Sequence, residues 1–335
     1  MDTVKFIFYG VFLSALLCVC ETANPASLGL VGDTADVIRP TSGGTVLVGG
    51  GPDVDEAMQW MITKSGGGDF VVLRATGTDA YNSYIYGLGS VNSVETLLIN
   101  SRTLANDLLV EAAIRGAEAI FISGGDQANY VNYWKDTKVE AAINYLRNVK
   151  QIPIGGTSAG CAILGGTYFS ALYGTVTSSE SLGNPYNRYL TLGHNDFLSQ
   201  PYLSNVITDT HFNNPDRRGR LITFLARMNQ DYGVVGRGIG VDESTAVCIE
   251  SDGTGRVFGS GTTFFLSQNG LASKPETCVN GSPLDWYRNR QAVIVCKIVG
   301  SQAGSGSFDL NTWSQISGGV NQYYYINRGT LGISV

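Results

Sequence analysis

The stretch from Gln151 to Leu164, QIPIGGTSAGCAIL, dictates a local chain path more strictly than any other part of the sequence. It reads in order as a short apolar strand, a glycine-pinched corner and a helix start. Within it Gly156-Thr157-Ser158-Ala159-Gly160 fits G-x-S-x-G, a pattern that sets a serine hydroxyl on a strained strand-to-helix corner. The glycines permit the bend and keep side chains out of a substrate's way. The helix start turns N–H groups toward an anion forming beside the hydroxyl. A bare pentapeptide of this kind also describes an ordinary βα turn. The strand before it and the helix after it favour a nucleophilic serine, Ser158.

The first half of the chain repeats this grammar. Residues 45–48 read as a buried strand ending in Gly49-Gly50-Gly51-Pro52-Asp53, and Val54, Ala57, Met58 and Met61 follow at helical spacing. Further strands are expected at 70–73, 94–99 and 119–122, the last ending in Ser123-Gly124-Gly125-Asp126-Gln127. Helices are expected over 103–115, where Leu104, Leu108, Leu109 and Ala112 share a face, around Tyr130, and over 139–149. Apolar strands alternating with amphipathic helices predict an α/β fold, a largely parallel sheet with helices on both faces. Ligands of such sheets bind beyond the carboxyl ends of the strands, where Gly49–Gly51, Gly124-Gly125 and Gly155-Gly156 are expected to converge. Beyond about Val234 the pattern turns β-rich, with short runs at 239–241, 246–249, 257–258, 262–266 and 292–298. These predict an antiparallel C-terminal extension. With 335 residues, 43% of them hydrophobic, and no Pro-rich or charged linker, one continuous domain over 45–335 is favoured.

The amino terminus differs. Lys5 is followed by an uncharged run from Phe6 to Cys20, shorter than the roughly 20 apolar residues of a bilayer span and suited to a cleaved secretory signal over 1–20. Cleavage is expected after Cys20, with the end of Ala23 as the alternative, and residues 21–44 read as a polar leader. The expectation is a secreted, extracellular protein with no membrane attachment after cleavage. A formal net charge of −6 argues against nucleic acid as a partner. Signal removal leaves Cys161, Cys248, Cys278 and Cys296. Cys161, one turn after Ser158, reads as a small buried residue, and the other three offer at most one disulfide. No C-x-x-C occurs and there are two histidines, so neither a metal nor another cofactor is expected. Asn280-Gly281-Ser282 is a glycosylation sequon weakened by Pro283.

A serine nucleophile needs a proton shuttle, and the sequence offers only His194 and His211. His211 ends the apolar run 206–208 and precedes an arginine-rich helix, again at the carboxyl end of the sheet. His194 lies in a polar stretch where a surface role is the default. The acids between serine and the histidine's end of the chain are Glu180, Asp196 and Asp209, the last on the same face as His211. With histidine only 53 residues after serine and none later, the order is not that of an α/β-hydrolase.

At this point four ordered motifs resemble the signatures of cyanophycinase, a member of the S51 serine peptidases together with peptidase E. They are Phe121 to Gln127, Gly155 to Gly160, Asp209-Thr210-His211-Phe212 with Arg217 to Leu221, and Gly238 to Ala246. The resemblance runs from about Gly43 to beyond Ala246. It implies a fold akin to class I glutamine amidotransferases with serine replacing cysteine, and a triad whose acid lies between serine and histidine. On that basis Ser158 is the nucleophile, His211 the general base and Glu180 the orienting acid. Gly125 and Ala159 are expected to supply the oxyanion hole, and Gln127 with Arg217 or Arg220 to bind substrate. The implied partner is a peptide or polyamide substrate with β-aspartyl or similar acidic linkages, cleaved as an exopeptidase does. Homodimer formation is a further expectation. Two readings stay beside this one: a secreted matrix-associated protein that keeps the fold without turnover, and a hydrolase or acyltransferase acting on esters or amides.

Overall fold

The computed structural model describes residues 23–198, 200–270 and 273–335, so the expected signal segment lies outside the described residues. The first half builds β1 (Ser27–Gly32), β2 (Gly44–Val48), β3 (Asp69–Arg74), β4 (Ser93–Leu98), β5 (Ala119–Ile122) and β6 (Pro153–Thr157). Strands β4, β3, β5, β6 and β2 lie side by side in that order, all parallel. Alternate side chains of these strands point to opposite faces, and both faces are apolar. Val46, Val48, Phe70, Val72 and Phe121 pack with α1 (Asp55–Lys64) and α2 (Ala80–Leu88) on one face. Leu47, Val71, Leu73, Ile120 and Ile122 pack on the other with α3 (Arg102–Ala105), α4 (Leu108–Gly116), α5 (Gln127–Trp134) and α6 (Lys138–Tyr145). The nucleophile corner enters α7 (Ala159–Ala162).

One reading of the first half needs correcting, and the polar leader carries an element of its own. Within it β1 pairs antiparallel with β4 and forms one edge of the sheet, its alternating half-buried and exposed residues giving no long apolar run. The helix over 103–115 is two helices. Asp107 breaks it by accepting hydrogen bonds from the backbone N–H groups of Leu109 and Val110 as an N-cap, which leaves Leu108 68% exposed rather than on the buried face.

After α7 the chain forms β7 (Thr167–Phe169), α8 (Ser178–Gly183), β8 (Leu192–His194), β9 (Val206–Asp209), α9 (Arg218–Tyr232) and β10 (Arg237–Val241). It continues through β11 (Thr245–Ile249), β12 (Thr254–Gly259), β13 (Thr262–Gln268), β14 (Val293–Val299), β15 (Gly306–Asp309), β16 (Ser314–Ser317), β17 (Gly319–Asn327) and β18 (Thr330–Ser334). Strands β11, β12, β15 and β16 extend the first sheet antiparallel beyond β2. The others form a second sheet in the order β18-β17-β14-β13-β10-β9-β7-β8, with β9 parallel to both β10 and β7. This mixed α/β architecture carries the expected β-rich C-terminal part. One core cluster draws on both sheets, joining Leu47 and Val247 of the first to Val206, Ile239 and Phe265 of the second. A second cluster sits around α9, between Phe212, Leu221, Phe224 and Trp286. Cys161, Cys248, Cys278 and Cys296 are buried free thiols. His194 belongs to β8, its ring stacked on Tyr232 at 4.2 Å and its Nδ1 2.8 Å from the Thr167 hydroxyl.

Because Asp107 alone caps α4, Asp107→Ala is expected to lower unfolding free energy by about 1 kcal/mol. Urea denaturation followed by circular dichroism measures it, and an unchanged midpoint would contradict this reading of the helix break.

Candidate active site

Strands β5, β6 and β2 are neighbours, so the loops at their carboxyl ends meet at one edge of the first sheet. Gly155 and Gly156 lie within β6 itself, and the corner is made by Ser158, whose φ of 52° and ψ of −118° are strained for a residue with a side chain. The flanking glycines touch. A Cβ at Gly156 would stand 2.6 Å from the Gly160 carbonyl carbon, and one at Gly160 2.1 Å from the Ile122 carbonyl oxygen. The Ser158 N–H donates to the Val48 carbonyl at 3.1 Å, which fixes the corner to the end of β2.

The histidine comes from the second sheet. His211 follows β9, with φ of 48°, and its N–H donates to the Gly49 carbonyl at 2.8 Å. Its ring lies so close over Gly50 that a Cβ there would approach it to 2.4 Å. Held this way, His211 Nε2 stands 2.8 Å from Ser158 Oγ and Nδ1 stands 2.6 Å from Glu243 Oε1. A carboxylate can only accept from Nδ1–H, which leaves Nε2 as an acceptor for the serine proton. Glu243 lies on the turn between β10 and β11, where the chain passes from the second sheet to the first.

The structure therefore overturns the assignment of Glu180 as the orienting acid. Glu180 closes a capping box at the start of α8, where its Oε2 accepts from the Thr177 N–H at 2.9 Å and the Thr177 hydroxyl at 2.8 Å. Those bonds hold its carboxyl below the usual range. The other two acids are also engaged elsewhere. Asp196 accepts from the Tyr168 hydroxyl and pairs with Lys135. Asp209 takes two hydrogen bonds from Arg220, Nε at 2.8 Å and Nη2 at 2.5 Å, with both side chains buried. The acid that reaches the histidine follows it in the chain rather than preceding it. Its signal was present in the segment Gly238 to Ala246, a strand that runs into a turn carrying Asp242-Glu243.

A cavity of about 360 Å³ opens beside Ser158. Gly125, Gln127, Ala159, Asp209, His211, Arg217 and Arg220 contribute to its lining. Gly124 backs the serine, since a Cβ there would lie 3.4 Å from Ser158 Cβ. The two arginines differ in kind. Arg220 spends its donors on Asp209, the Thr175 hydroxyl and the Val176 carbonyl, and its guanidinium lies over Phe169 and Phe224. It is a wall of the cavity rather than an open ligand for substrate. Arg217 donates from Nη1 to the Thr210 carbonyl at 2.8 Å and lies 3.9 Å from Asp209 Oδ1, while its Nε is buried without a hydrogen-bond partner among the described residues. Burial and the neighbouring Arg220 cation pull its pKa down. Gln127, at the start of α5, directs Nε2 to the Phe169 carbonyl at 3.4 Å. Among the described residues no three His, Cys, Asp or Glu side chains form a group that could hold a metal ion.

The family model described as Peptidase family S51 matches residues 79–257, a segment that contains Ser158, His211 and Glu243. A cyanophycinase of Nostoc sp. is 30% identical over 202 residues, 60% of this chain and 62% of that protein. A cyanophycinase of Geminocystis herdmanii is 26% identical over 194 residues, 58% of this chain and 65% of that one. The chain thus spans less than two thirds of the length of these curated relatives. Among solved structures, a peptidase from an acI-B1 Actinobacterium aligns with a TM-score of 0.48 at 18% identity, over 67% of this chain and 90% of that chain.

If Glu243 orients His211, Glu243→Gln is expected to slow modification of Ser158 by a fluorophosphonate by about two to four orders of magnitude. Glu180→Gln is expected to leave that rate within about twofold, since an exposed cap acts on the helix end alone. Equal rates for both variants would reject the geometry. Arg220→Met should instead act on stability, by about 3–5 kcal/mol in urea, because it strands a buried Asp209 charge.

Proposed function

This chain belongs to peptidase family S51, and on that premise we propose that it is a secreted serine-type exopeptidase cleaving β-aspartyl or similar acidic linkages. The observation that carries the proposal is the continuous hydrogen-bonded line from Ser158 Oγ through His211 to Glu243. In this reading Ser158 Oγ attacks the scissile carbonyl while His211 Nε2 takes its proton, and Glu243 stabilises the imidazolium that results. Backbone N–H groups of Gly125 and Ala159 receive the oxyanion. His211 then returns the proton to the leaving amine, and water, deprotonated by the same base, releases the acyl group as a carboxylic acid and regenerates Ser158.

Support for an acidic substrate comes from Arg217, a second arginine in the cavity lining whose Nε carries no hydrogen bond, and from Gln127 in the same lining. A carboxylate left free by a β-linkage is the group such a fork accepts best. The kinship to class I glutamine amidotransferases, with serine for cysteine, belongs to the same reading. Secretion rests on the uncharged run from Phe6 to Cys20, and amino-terminal sequencing of protein recovered from the medium of cells expressing the full chain tests it.

The assay compares release of amine from β-aspartyl-arginine polymer and from α- and β-aspartyl dipeptides. Ser158→Ala is expected to lose about three or more orders of magnitude in kcat. Arg217→Met is expected to raise KM for acidic substrates by about tenfold or more, with a smaller effect on kcat, on the order of one charge-assisted hydrogen bond. Activity retained by Ser158→Ala rejects the serine mechanism. A preference for the α-linked dipeptide rejects the linkage.

A further inference from the structure

His211 and Glu243 sit on two loops that come from different parts of the chain, one after β9 and one between β10 and β11, yet their hydrogen bond is 2.6 Å long. The Glu243 side chain is 43% exposed, and His211 is its hydrogen-bonding side-chain partner. Packing therefore does little to fix the carboxylate, and the turn beneath it must set its position. Two residues beyond His211, the Asn213 amide donates from Nδ2 to Asp242 Oδ2 at 2.5 Å. Asp242 is the residue immediately before Glu243. The same Oδ2 accepts from the Thr262 N–H at 3.1 Å, and the Asp242 N–H donates to the Thr262 carbonyl at 3.1 Å. One carboxylate oxygen thus fastens the histidine loop, the acid's turn and the start of β13 together. The other oxygen, Oδ1, is buried without a hydrogen bond, an expensive arrangement for closing a turn that a simpler side chain could close.

We infer that Asn213 and Asp242 form a positioning pair, a second hydrogen bond running beside His211–Glu243 that sets the register of the acid against the imidazole. Neither residue belongs to the lining of the cavity beside Ser158. The Phe212 N–H, which donates to the Val241 carbonyl at 3.3 Å, lies between the two side-chain bonds and completes the splice. The inference rests on the proposed serine mechanism, because it assigns these residues a role in presenting the base.

Two readouts test it without knowledge of the natural substrate: kinact and KI for a fluorophosphonate at Ser158, and the far-downfield proton resonance of the His211 Nδ1–H held by Glu243. Asn213 is exposed, so Asn213→Ala is expected to fold. It should lower kinact by about 10- to 100-fold, the scale of a small misplacement in a catalytic array, with KI within about twofold. The downfield resonance should weaken or vanish. Asn213→Asp alone sets two carboxylates against each other and should do the same. Wild-type kinact in Asn213→Ala would overturn the pair, as would a fall in kinact with the resonance intact. If the wild-type chain is not labelled at all, the serine mechanism itself fails. The resonance compared between wild type and Asn213→Ala then still reports whether the pair holds Glu243 to His211.

Discussion

The site depends on how closely the turn after β2 packs against its neighbours. Through Val48 and the Gly49–Gly51 turn that follows, this segment touches every part of the proposed triad. The Val48 carbonyl receives the Ser158 N–H, the Gly49 carbonyl receives the His211 N–H, and the Gly50 carbonyl receives the Ser244 N–H next to Glu243. The approach leaves no room for side chains. A Cβ at Gly49 would lie 1.9 Å from the Asp242 carbonyl oxygen, and one at Gly50 would enter the His211 ring. Serine comes from the first sheet, histidine from the second, and the acid from the crossing between them. A bare backbone turn gives three side chains of such different origin a common surface to align against.

The electrostatics of the cavity follow from burial. Arg220 and Asp209 are nearly enclosed, and a pair at that depth persists because its hydrogen bonds are met on both sides and aromatic rings cover the guanidinium. Arg217 joins the same cluster: its Nη1 lies 3.9 Å from Asp209 Oδ1, and burial together with the Arg220 cation lowers its pKa against the opposing pull of Asp209 and Glu243.

Much of this was legible in the sequence because the parallel strands are buried on both faces. Residues 45–48, 70–73 and 119–122 are apolar runs that admit few readings, and the first and last of them lead into glycines where the chain must turn sharply. The G-x-S-x-G corner and the strand-end histidine were legible for the same reason. What failed to show were elements with weak patterns. The edge strand β1 is half solvated and reads as polar, and the Asp107 break looks like one more polar residue on a helix. The acid was missed for a different cause: its position in the chain was inferred from an expected order, while sequence carries no direct record of which turns meet in space.

Glu180 shows how a local rule could have corrected that inference. Thr177-Ser178-Ser179-Glu180 has the threonine and glutamate spacing of a capping box, in which the carboxylate folds back on the helix start and is spent there. An acid already committed to a helix cap has little reach left for an imidazole in another loop. Glu243 has no such local engagement: it follows a buried strand, stands on a turn with solvent on one side, and has no helix to cap. Among carboxylates of equal distance from a histidine in sequence, the better candidate for a catalytic partner is the one whose own neighbourhood gives it nothing else to bind. Applied to this chain, that criterion removes Glu180 by its cap and leaves the turn between the two sheets as the place to look.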